Sequence, residues 1–343
     1  NSARILARLS SLSRSTPGIV WSALRRPSVY VHLRLAADGG GAAHLATGLA
    51  ALAAELAATG GLDAPLVLRA PPPQLIVRSR RQRFVLDPSP LQIGTDGTLR
   101  QHDQVVTAEP ASVPVSGAID LALVDDNPLS SLEAHPDKSG SQLDLGEATP
   151  EQWVASLRDA LDRIATHLPL LRSELDLVLS CLVPVGTDPE RHLSASYREA
   201  LGLVYLSLHP DPLTMTEAVV HEAQHNKLNA ALTIDPLLEN PPDERHPSPV
   251  RPDPRPLLGV LLAVHAFVPV AALYRAMRLA GDPIVDGPRV HPRLTRILEG
   301  NEEGLTLLER HARPTALGST LLEELRAIHD ETVEPPRVRH DVP

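Results

Sequence analysis

The sequence contains few aromatic residues and a single cysteine. Phe, Trp and Tyr together make up 2% of the 343 residues, so Leu, Ala and Val must form most of the hydrophobic core. Cys181 has no second cysteine to pair with, which excludes an internal disulfide bond and is typical of a protein from a reducing compartment. We therefore expect a cytoplasmic protein in which Cys181, within the apolar run "DLVLSCLVPVG", is a core residue.

Basic residues are also in the minority. The 32 Lys and Arg residues against 42 Asp and Glu residues give a formal net charge of −10. Because nucleic-acid binding usually begins with a basic surface, we expect no nucleic-acid partner. The apolar run "LLGVLLAVHAFVPVAALY", residues 257 to 274, is borderline in length for a transmembrane helix. His265 and Pro269 lie near its middle, so we predict a buried core helix and no membrane partner.

The order of patterns along the chain predicts an α+β fold that is mainly helical. Residues 1 to about 64 have helical patterns, and the basic segment "NSARILARLSSLSRS" is interpreted as a first helix rather than a targeting segment. Short apolar runs between about 65 and 125 predict a small sheet in the N-terminal half. Helices return from Thr149, with a strand expected at 175 to 185. The expected domains are 1–145, 146–335 with the catalytic region, and a tail at 336–343.

The stretch "TMTEAVVHEAQHNKLNAAL" predicts a metal site on a helix. Thr214 and Glu217 have the spacing of a capping box at its start. His221 and His225 are one turn apart on one face, so both imidazoles can reach a single ion. Glu222 lies about 100° round the helix and would point at the open side of that ion.

The third metal ligand decides which class of protein this is. A metzincin requires Gly and His where this chain has Leu228 and Ala231. A gluzincin requires a second acid after an Asn-Glu pair, and Asn301-Glu302 is followed by Thr306 at that place. Neither peptidase pattern is complete, which leaves as candidate ligands Asp235, Glu239, Asp243, Glu244, His246, Asp253 and His265.

His265 is the preferred third ligand, because an imidazole inside a hydrophobic helix costs free energy unless it has a partner. A metal ion would be such a partner, and a hydrogen-bonded core histidine is the alternative. In "SPVRPDPRP", Arg251 and Arg255 are candidates to bind a carboxylate in bidentate fashion, or else solvated loop residues. The helix at 256–280 is expected to pack against the helix at 214–232.

Several segments together resemble the HExxH-type peptide-modification proteins of ribosomally synthesised peptide (RiPP) gene clusters. They are "SASYREALGLVYLS", "LTMTEAVVHEAQHNKLNAAL", "SPVRPDPRPLLGVLLAVHAFVPVA" and the upstream "DDNPLSSLEAHPDKSGSQLDLG". The resemblance covers roughly residues 125 to 280. It implies an iron(II)- and 2-oxoglutarate-dependent oxygenase that hydroxylates a side-chain Cβ of a precursor peptide. Succinate and CO₂ would be the co-products.

Residue by residue, the resemblance implies that His221 and His225 bind iron(II) together with a third protein ligand, for which His265 is the choice. Glu222 would act beside the metal as an acid/base group, and Arg255, with Arg251 second, would pair with the distal carboxylate of 2-oxoglutarate. The upstream motif contains Asp126, Asn127 and His135, which either contact substrate or brace the fold; bracing is preferred. The N-terminal half is a candidate for recognition of the peptide leader.

Two other functions remain open at this point. A zincin-type metallopeptidase would hold zinc at the same histidines and use Glu222 as the base. A binding module without activity would use the fold only to hold a peptide, which the intact His-Glu-His motif disfavours.

Overall fold

The computed structural model describes residues 2–39, 41–125, 127–128, 143–190, 192–249 and 253–334. The chain divides into two compact units, Asn1–Arg158 with Asp176–Pro210 and Asp159–Leu175 with Asp211–Pro343. The fold is α+β and mainly helical, as predicted. The boundary expected after residue 145 lies inside the first unit, and the expected tail at 336–343 lies outside the described residues.

The first unit begins with four helices, which confirms the helical prediction for this part of the chain. They are α1 (Ser2–Ser15), α2 (Pro17–Leu24), α3 (Pro27–Ala37) and α4 (Gly41–Ala58). Proline starts α2 and α3, where its missing N–H has no cost. The Ala-rich α4 is buried from Gly48 to Ala57. Its small side chains let α3 approach closely, since a Cβ at Gly48 would lie 2.9 Å from Leu33 Cδ2.

Nine short strands follow, and three more come after the next two helices. The strands are β1 (Leu66–Leu68), β2 (Gln74–Val77), β3 (Gln82–Val85), β4 (Leu91–Ile93), β5 (Leu99–Gln101), β6 (Gln104–Val105), β7 (Glu109–Pro110), β8 (Ser112–Ser116), β9 (Ile119–Ala122), β10 (Cys181–Thr187), β11 (Ser194–Ala195) and β12 (Leu203–Leu208). They form sheets ordered β1-β4-β5-β6, β2-β3-β7 and β11-β12-β10-β9-β8. The first two are antiparallel, and in the third β10 runs parallel to both β9 and β12. The predicted sheet region is therefore present, and β10 to β12 extend it.

The strand expected at 175 to 185 is only partly correct. Helix α5 (Pro150–His167) is followed by α6 (Pro169–Val178), and the strand begins at Cys181. Leu175 and Leu179 are buried while Leu177 is 66% exposed, so the apolar residues here recur with the four-residue spacing of a helix. The prediction that Cys181 is buried in the core is confirmed.

The second unit contains the predicted helix pair. Its remaining helices are α7 (Pro212–Ala231), α8 (Leu257–Ala280), α9 (Val290–His311) and α10 (Ala316–Val333). Helix α8 packs against all three others, and most of its apolar residues are buried, as predicted for a core helix. Helices α4 and α8 are both long and apolar enough to cross a bilayer, a property that buried helices of soluble proteins share.

The start of α7 differs from the prediction. Asp211 is the N-cap, and its side chain accepts a hydrogen bond from the Leu213 N–H at 3.0 Å. Pro212 takes the first helical position, so the helix begins before the capping box expected at Thr214 and Glu217. Glu217 consequently lies inside the helix, one turn before His221, and is available for tertiary contacts.

Candidate metal site

The two histidines of the HExxH motif converge. His221 and His225 lie one turn apart on α7, and their Nε2 atoms are 3.0 Å apart. Their ring centroids are 4.5 Å apart, with an interplanar angle of 88°. Two imidazole nitrogens directed at one place form half or more of the ligand set of a three- or four-coordinate metal site. The prediction that these side chains share one face of a helix is confirmed.

Helix α8 runs antiparallel to α7 and supplies one wall beside the histidines. Tyr274 contacts Glu217 near the start of α7, and Phe267 contacts His221 in its middle. The Phe267 ring centroid lies 4.6 Å from that of His221. One turn further along α7, His265 lies beside Gln224 and His225. The contact between the helices thus fixes which side of the His221 ring remains accessible.

A charged cluster that the sequence analysis missed lies beside His221. Glu217 accepts a hydrogen bond from the Tyr274 hydroxyl at 2.9 Å and forms a two-contact ion pair with Arg293 on α9. The Arg293 guanidinium carbon lies 5.5 Å from the centroid of the Phe267 ring, a distance suited to cation–π attraction. The spacing from Glu217 to His221 was visible in the sequence, but only tertiary structure brings Arg293 to this place.

Electrostatics within the cluster keep its groups in defined charge states. Burial lowers the pKa of Arg293, but hydrogen bonding to Glu217 and its charge outweigh this, so the net pKa is raised. Burial, together with the charge of Glu217, raises the pKa of Tyr274 above its usual range. At neutral pH Arg293 is therefore a cation and Tyr274 a neutral phenol. Because Glu217 is mostly buried, its ion pair with Arg293 depends on both partners remaining in place.

Glu222 is buried on the neighbouring side of α7. Only 3% of its surface is exposed. Burial lowers the pKa of His225, and the Glu222 carboxylate partly offsets that effect. The His225 imidazole is therefore neutral at physiological pH, the form that binds a metal ion. The Glu222 carboxylate is therefore close enough to His225 to act on it electrostatically.

His265 is buried against α7, with 3% of its surface exposed. Burial, followed by the charges of Lys227 and His225, lowers its pKa to about 3, while a hydrogen bond to the Gln224 backbone opposes the shift. The His265 Nδ1 atom has no hydrogen-bond partner in the part of the chain that the structure describes. Pro269, four residues later, cannot donate the helical hydrogen bond to the His265 carbonyl.

Other candidates from the sequence lie in different surroundings. Asp235 accepts hydrogen bonds from the Leu237 N–H at 2.6 Å and the Thr315 hydroxyl at 2.7 Å, a structural role after α7. His246 Nε2 lies 2.9 Å from Glu244. Arg255 exchanges two backbone hydrogen bonds of 2.8 Å with His246, and its side chain pairs with Asp253. Arg255 is therefore held at the entrance to α8 with a carboxylate already beside its guanidinium group.

Three predicted residues, Arg251, Asp126 and His135, lie outside the described residues. Asn127, from the same upstream motif, is described and lies in the first unit. It is 4% exposed and donates a hydrogen bond of 3.0 Å from Nδ2 to the Tyr205 hydroxyl. This contact fits the preferred bracing role for Asn127.

Among the described residues, no group of three or more His, Cys, Asp or Glu side chains is arranged to hold a metal ion. What the structure brings together is the His221 and His225 pair, with Glu222 and His265 buried beside it. A cleft of about 1070 Å³ lies elsewhere in the second unit, between α9 and α10, and no predicted site residue lines it. No known protein-family model matches the chain, and no curated protein matches it either.

Proposed function

We propose that this protein is an iron(II)- and 2-oxoglutarate-dependent oxygenase that hydroxylates a side-chain Cβ of a ribosomally synthesised precursor peptide. The observation that carries the proposal is the approach of the His221 and His225 Nε2 atoms to 3.0 Å, with the His225 imidazole kept neutral by burial. The oxygenase chemistry comes from the sequence resemblance. Both peptidase ligand patterns are incomplete in this chain, which supports an oxygenase over a hydrolase.

The converging imidazoles of His221 and His225 fit a metal ion that prefers nitrogen ligands, and a third donor would have to join them. His221 and His225 would bind it through Nε2, and the buried Nδ1 atom of His265 is the candidate third donor. When bound, iron(II) and 2-oxoglutarate would allow O₂ to act as the oxidant, with one oxygen atom replacing C–H by C–OH and the other entering succinate as CO₂ is released. Phe267 limits the rotation of His221 and excludes water from one side of its ring. Glu222 would act as an acid/base group beside His225.

Arg255 is the candidate for binding the distal carboxylate of 2-oxoglutarate, with Arg251 second. A guanidinium group recognises a carboxylate through two parallel hydrogen bonds. Its present partner, Asp253, is more than half exposed, and exposed ion pairs contribute little free energy. A dicarboxylate co-substrate could therefore displace Asp253 at small cost.

A zinc-dependent metallopeptidase is the second candidate. The observation that favours it is Glu222, which is buried and acts electrostatically on His225, as the general base of a zincin would. In that case the protein would hold zinc and cleave a peptide without requiring O₂. Zinc and iron(II) both accept imidazole ligands, so the metal itself must be tested.

The deciding experiment is an anaerobic titration of the metal-free protein with iron(II) and then 2-oxoglutarate, followed by visible spectroscopy. The oxygenase predicts a weak charge-transfer band that needs both components and is lost when O₂ is admitted, with formation of succinate. Arg255→Ala should weaken 2-oxoglutarate binding about tenfold, the value of one charged hydrogen-bonded contact, and leave iron binding unchanged. Absence of the band, together with tight zinc binding and peptide cleavage, would replace the proposal by the peptidase.

A further inference from the structure

Strand β2 in the first unit is an edge strand with outward-facing backbone groups. Its sheet has the order β2-β3-β7, and β2 pairs antiparallel with β3 in the register Leu75↔Phe84 and Val77↔Gln82. Leu86 donates its N–H to the Pro73 carbonyl at 2.9 Å, which fixes the alternation of hydrogen-bonded pairs. The N–H and C=O groups of Gln74 and Ile76 therefore point away from β3.

No partner for these outward groups is found among the described residues. An edge that presents unpaired backbone groups is a template for another extended chain. Ile76 is only 3% exposed, so the edge lies in a recess and not on an open surface.

A pocket of about 250 Å³ opens alongside this edge. Gln74, Leu75 and Ile76 form one side, and α3 and α4 form the other with Ser28, His32, Thr47 and Ala51. The volume lies below the usual range for small-molecule sites and suits one amino-acid side chain. In a strand added to an edge, alternate side chains enter such pockets and give the specificity.

Ser28 points to the chemistry of that side chain. It is 5% exposed, and its hydroxyl Oγ has no hydrogen-bond partner among the described residues. A buried hydroxyl without a partner costs about 1–3 kcal/mol, which a polar side chain in the pocket would recover. Gln74 and Thr47, both polar residues, line the same space. The pocket therefore favours a short polar side chain over an aliphatic one.

The far wall of the pocket is built to keep its shape. Asp125, Asn127 and Pro128 line it. The Tyr205 hydroxyl donates to the Asp125 carboxylate at 3.1 Å, and Asn127 donates to the Tyr205 oxygen at 3.0 Å. Tyr205 is fully buried in β12. This network anchors the far wall of the pocket to β12 of the third sheet.

We propose that the β2 edge binds an extended peptide segment by strand addition, with one short polar side chain of that peptide in the Ser28 pocket. The two outward residues, Gln74 and Ile76, supply the backbone hydrogen bonds. We identify this peptide with a part of the substrate that lies away from the hydroxylated residue. This identification rests on the proposed function. The binding itself requires neither iron nor 2-oxoglutarate.

The test uses the metal-free full chain and fluorescent heptapeptides with alternating Val and Thr. The central position carries in turn Ser, Gln, Lys or Leu, and binding is followed by fluorescence anisotropy. Gln74→Pro removes one outward N–H and keeps the pairing with β3, whereas Gln74→Val keeps the N–H and removes only the side chain. We expect Gln74→Pro to weaken binding about tenfold relative to Gln74→Val, the value of one hydrogen bond at this edge.

Two further measurements make the outcome decisive. Peptides N-methylated at alternate amides should bind more weakly than the unmethylated peptides, as Gln74→Pro does compared with Gln74→Val. Ser28→Ala should remove the preference for Ser over Leu at the central position. Equal binding by Gln74→Pro and Gln74→Val, or no binding by any peptide, would overturn the proposal. So would protection of the Gln74 and Ile76 amides from hydrogen exchange in the peptide-free protein. Since no metal is present, these results are independent of the iron titration.

Discussion

Among the histidine pairs of the described residues, two bring their ring nitrogens within hydrogen-bond distance, one in each unit. His32 and His44 meet across α3 and α4, with their Nδ1 atoms 3.1 Å apart and their ring centroids 5.3 Å apart. His221 and His225 lie on one helix, with Nε2 atoms 3.0 Å apart. The nitrogen distances are nearly equal, so proximity alone does not separate a candidate metal site from a contact between helices.

The surroundings of the two pairs do separate them. His221 packs on Phe267, and His225 lies beside the buried carboxylate of Glu222. The His32 and His44 rings are tilted by 34° and join the side chains of two packed helices. A metal site requires ligands whose orientation is fixed by their neighbours. On this criterion His221 and His225 are the candidate metal ligands. Each of the following predictions tests whether their surroundings distinguish them from His32 and His44.

The largest effect is expected from removing a ligand. His221→Ala should weaken iron(II) binding by about 1000-fold, or roughly 4 kcal/mol, because one donor and its fixed geometry are lost. His44→Ala, the matched change in the other pair, should leave iron binding unchanged. Anaerobic calorimetric titration with iron(II) measures both. A comparable loss in His44→Ala would reverse the assignment of the two pairs.

The buried His265 should make the stability of the metal-free protein depend on pH. Its pKa is lowered from 6.5 to about 3 in the folded state, so below about pH 6.5 the unfolded chain binds a proton that the folded chain does not. The free energy of unfolding should therefore fall as pH decreases from 6.5 towards 3, by roughly 4 kcal/mol from this group.

Urea unfolding at a series of pH values measures this effect. His265→Gln should flatten the curve in that window, and the difference between the two proteins isolates His265 from other acid-titrating groups. His44 is a partly buried histidine of the first unit. His44→Gln therefore serves as the matched control. Parallel pH curves for the wild-type protein and His265→Gln would contradict the prediction.

A smaller effect is expected from the charged cluster beside His221. Glu217→Gln keeps the size of the side chain but removes the ion pair with Arg293, which then no longer holds Phe267 in place. Iron(II) binding should weaken about tenfold, the usual effect of changing a group that orients a ligand. Glu174→Gln, which removes the ion pair with Lys227 further along the same helix, is the control and should bind iron normally.

The smallest effect is expected from the aromatic contact itself. Phe267→Leu should weaken iron(II) binding about threefold, since an aromatic contact contributes roughly 0.5–1.5 kcal/mol beyond the area it buries. Phe84, the other phenylalanine of the chain, is buried in the first unit. Phe84→Leu should lower thermal stability without changing iron binding. Identical iron affinities for Phe267→Leu and the wild-type protein would remove Phe267 from the site.

The parts of the site that follow from local spacing could be predicted from the sequence. The shared face of His221 and His225 depends only on helical geometry, and the burial of α8 depends only on its composition. The contact of Arg293 with Glu217 could not be predicted, because it depends on the packing of α9. Arg293 lies 76 residues after Glu217 in the chain. The capping box at Thr214 was wrong because Asp211 followed by Pro212 offers a better start three residues earlier.

The same distinction holds for the fold. The end of α6 resembled a strand because Leu, Val and Ile-like residues are frequent in both elements, and only the exposure of Leu177 shows the helical spacing. The parallel pairing of β10 with β9 and β12 joins segments far apart in sequence. The local sequence pattern of a strand does not predict which distant strand it pairs with. Sequence therefore predicted which elements exist more reliably than which elements meet.

The close approach of α10 to the segment after α7 gives a marker for recognising relatives of this chain. A Cβ at Gly318 would lie 1.9 Å from the Leu237 carbonyl oxygen, and Leu237 itself has a left-handed backbone with φ of 61°. The Thr315 N–H donates to the same carbonyl at 2.9 Å. No side chain larger than hydrogen fits position 318. Among distant sequences that share the HExxH helix, a glycine at this place would identify those in which α10 packs in the same way against the segment after α7.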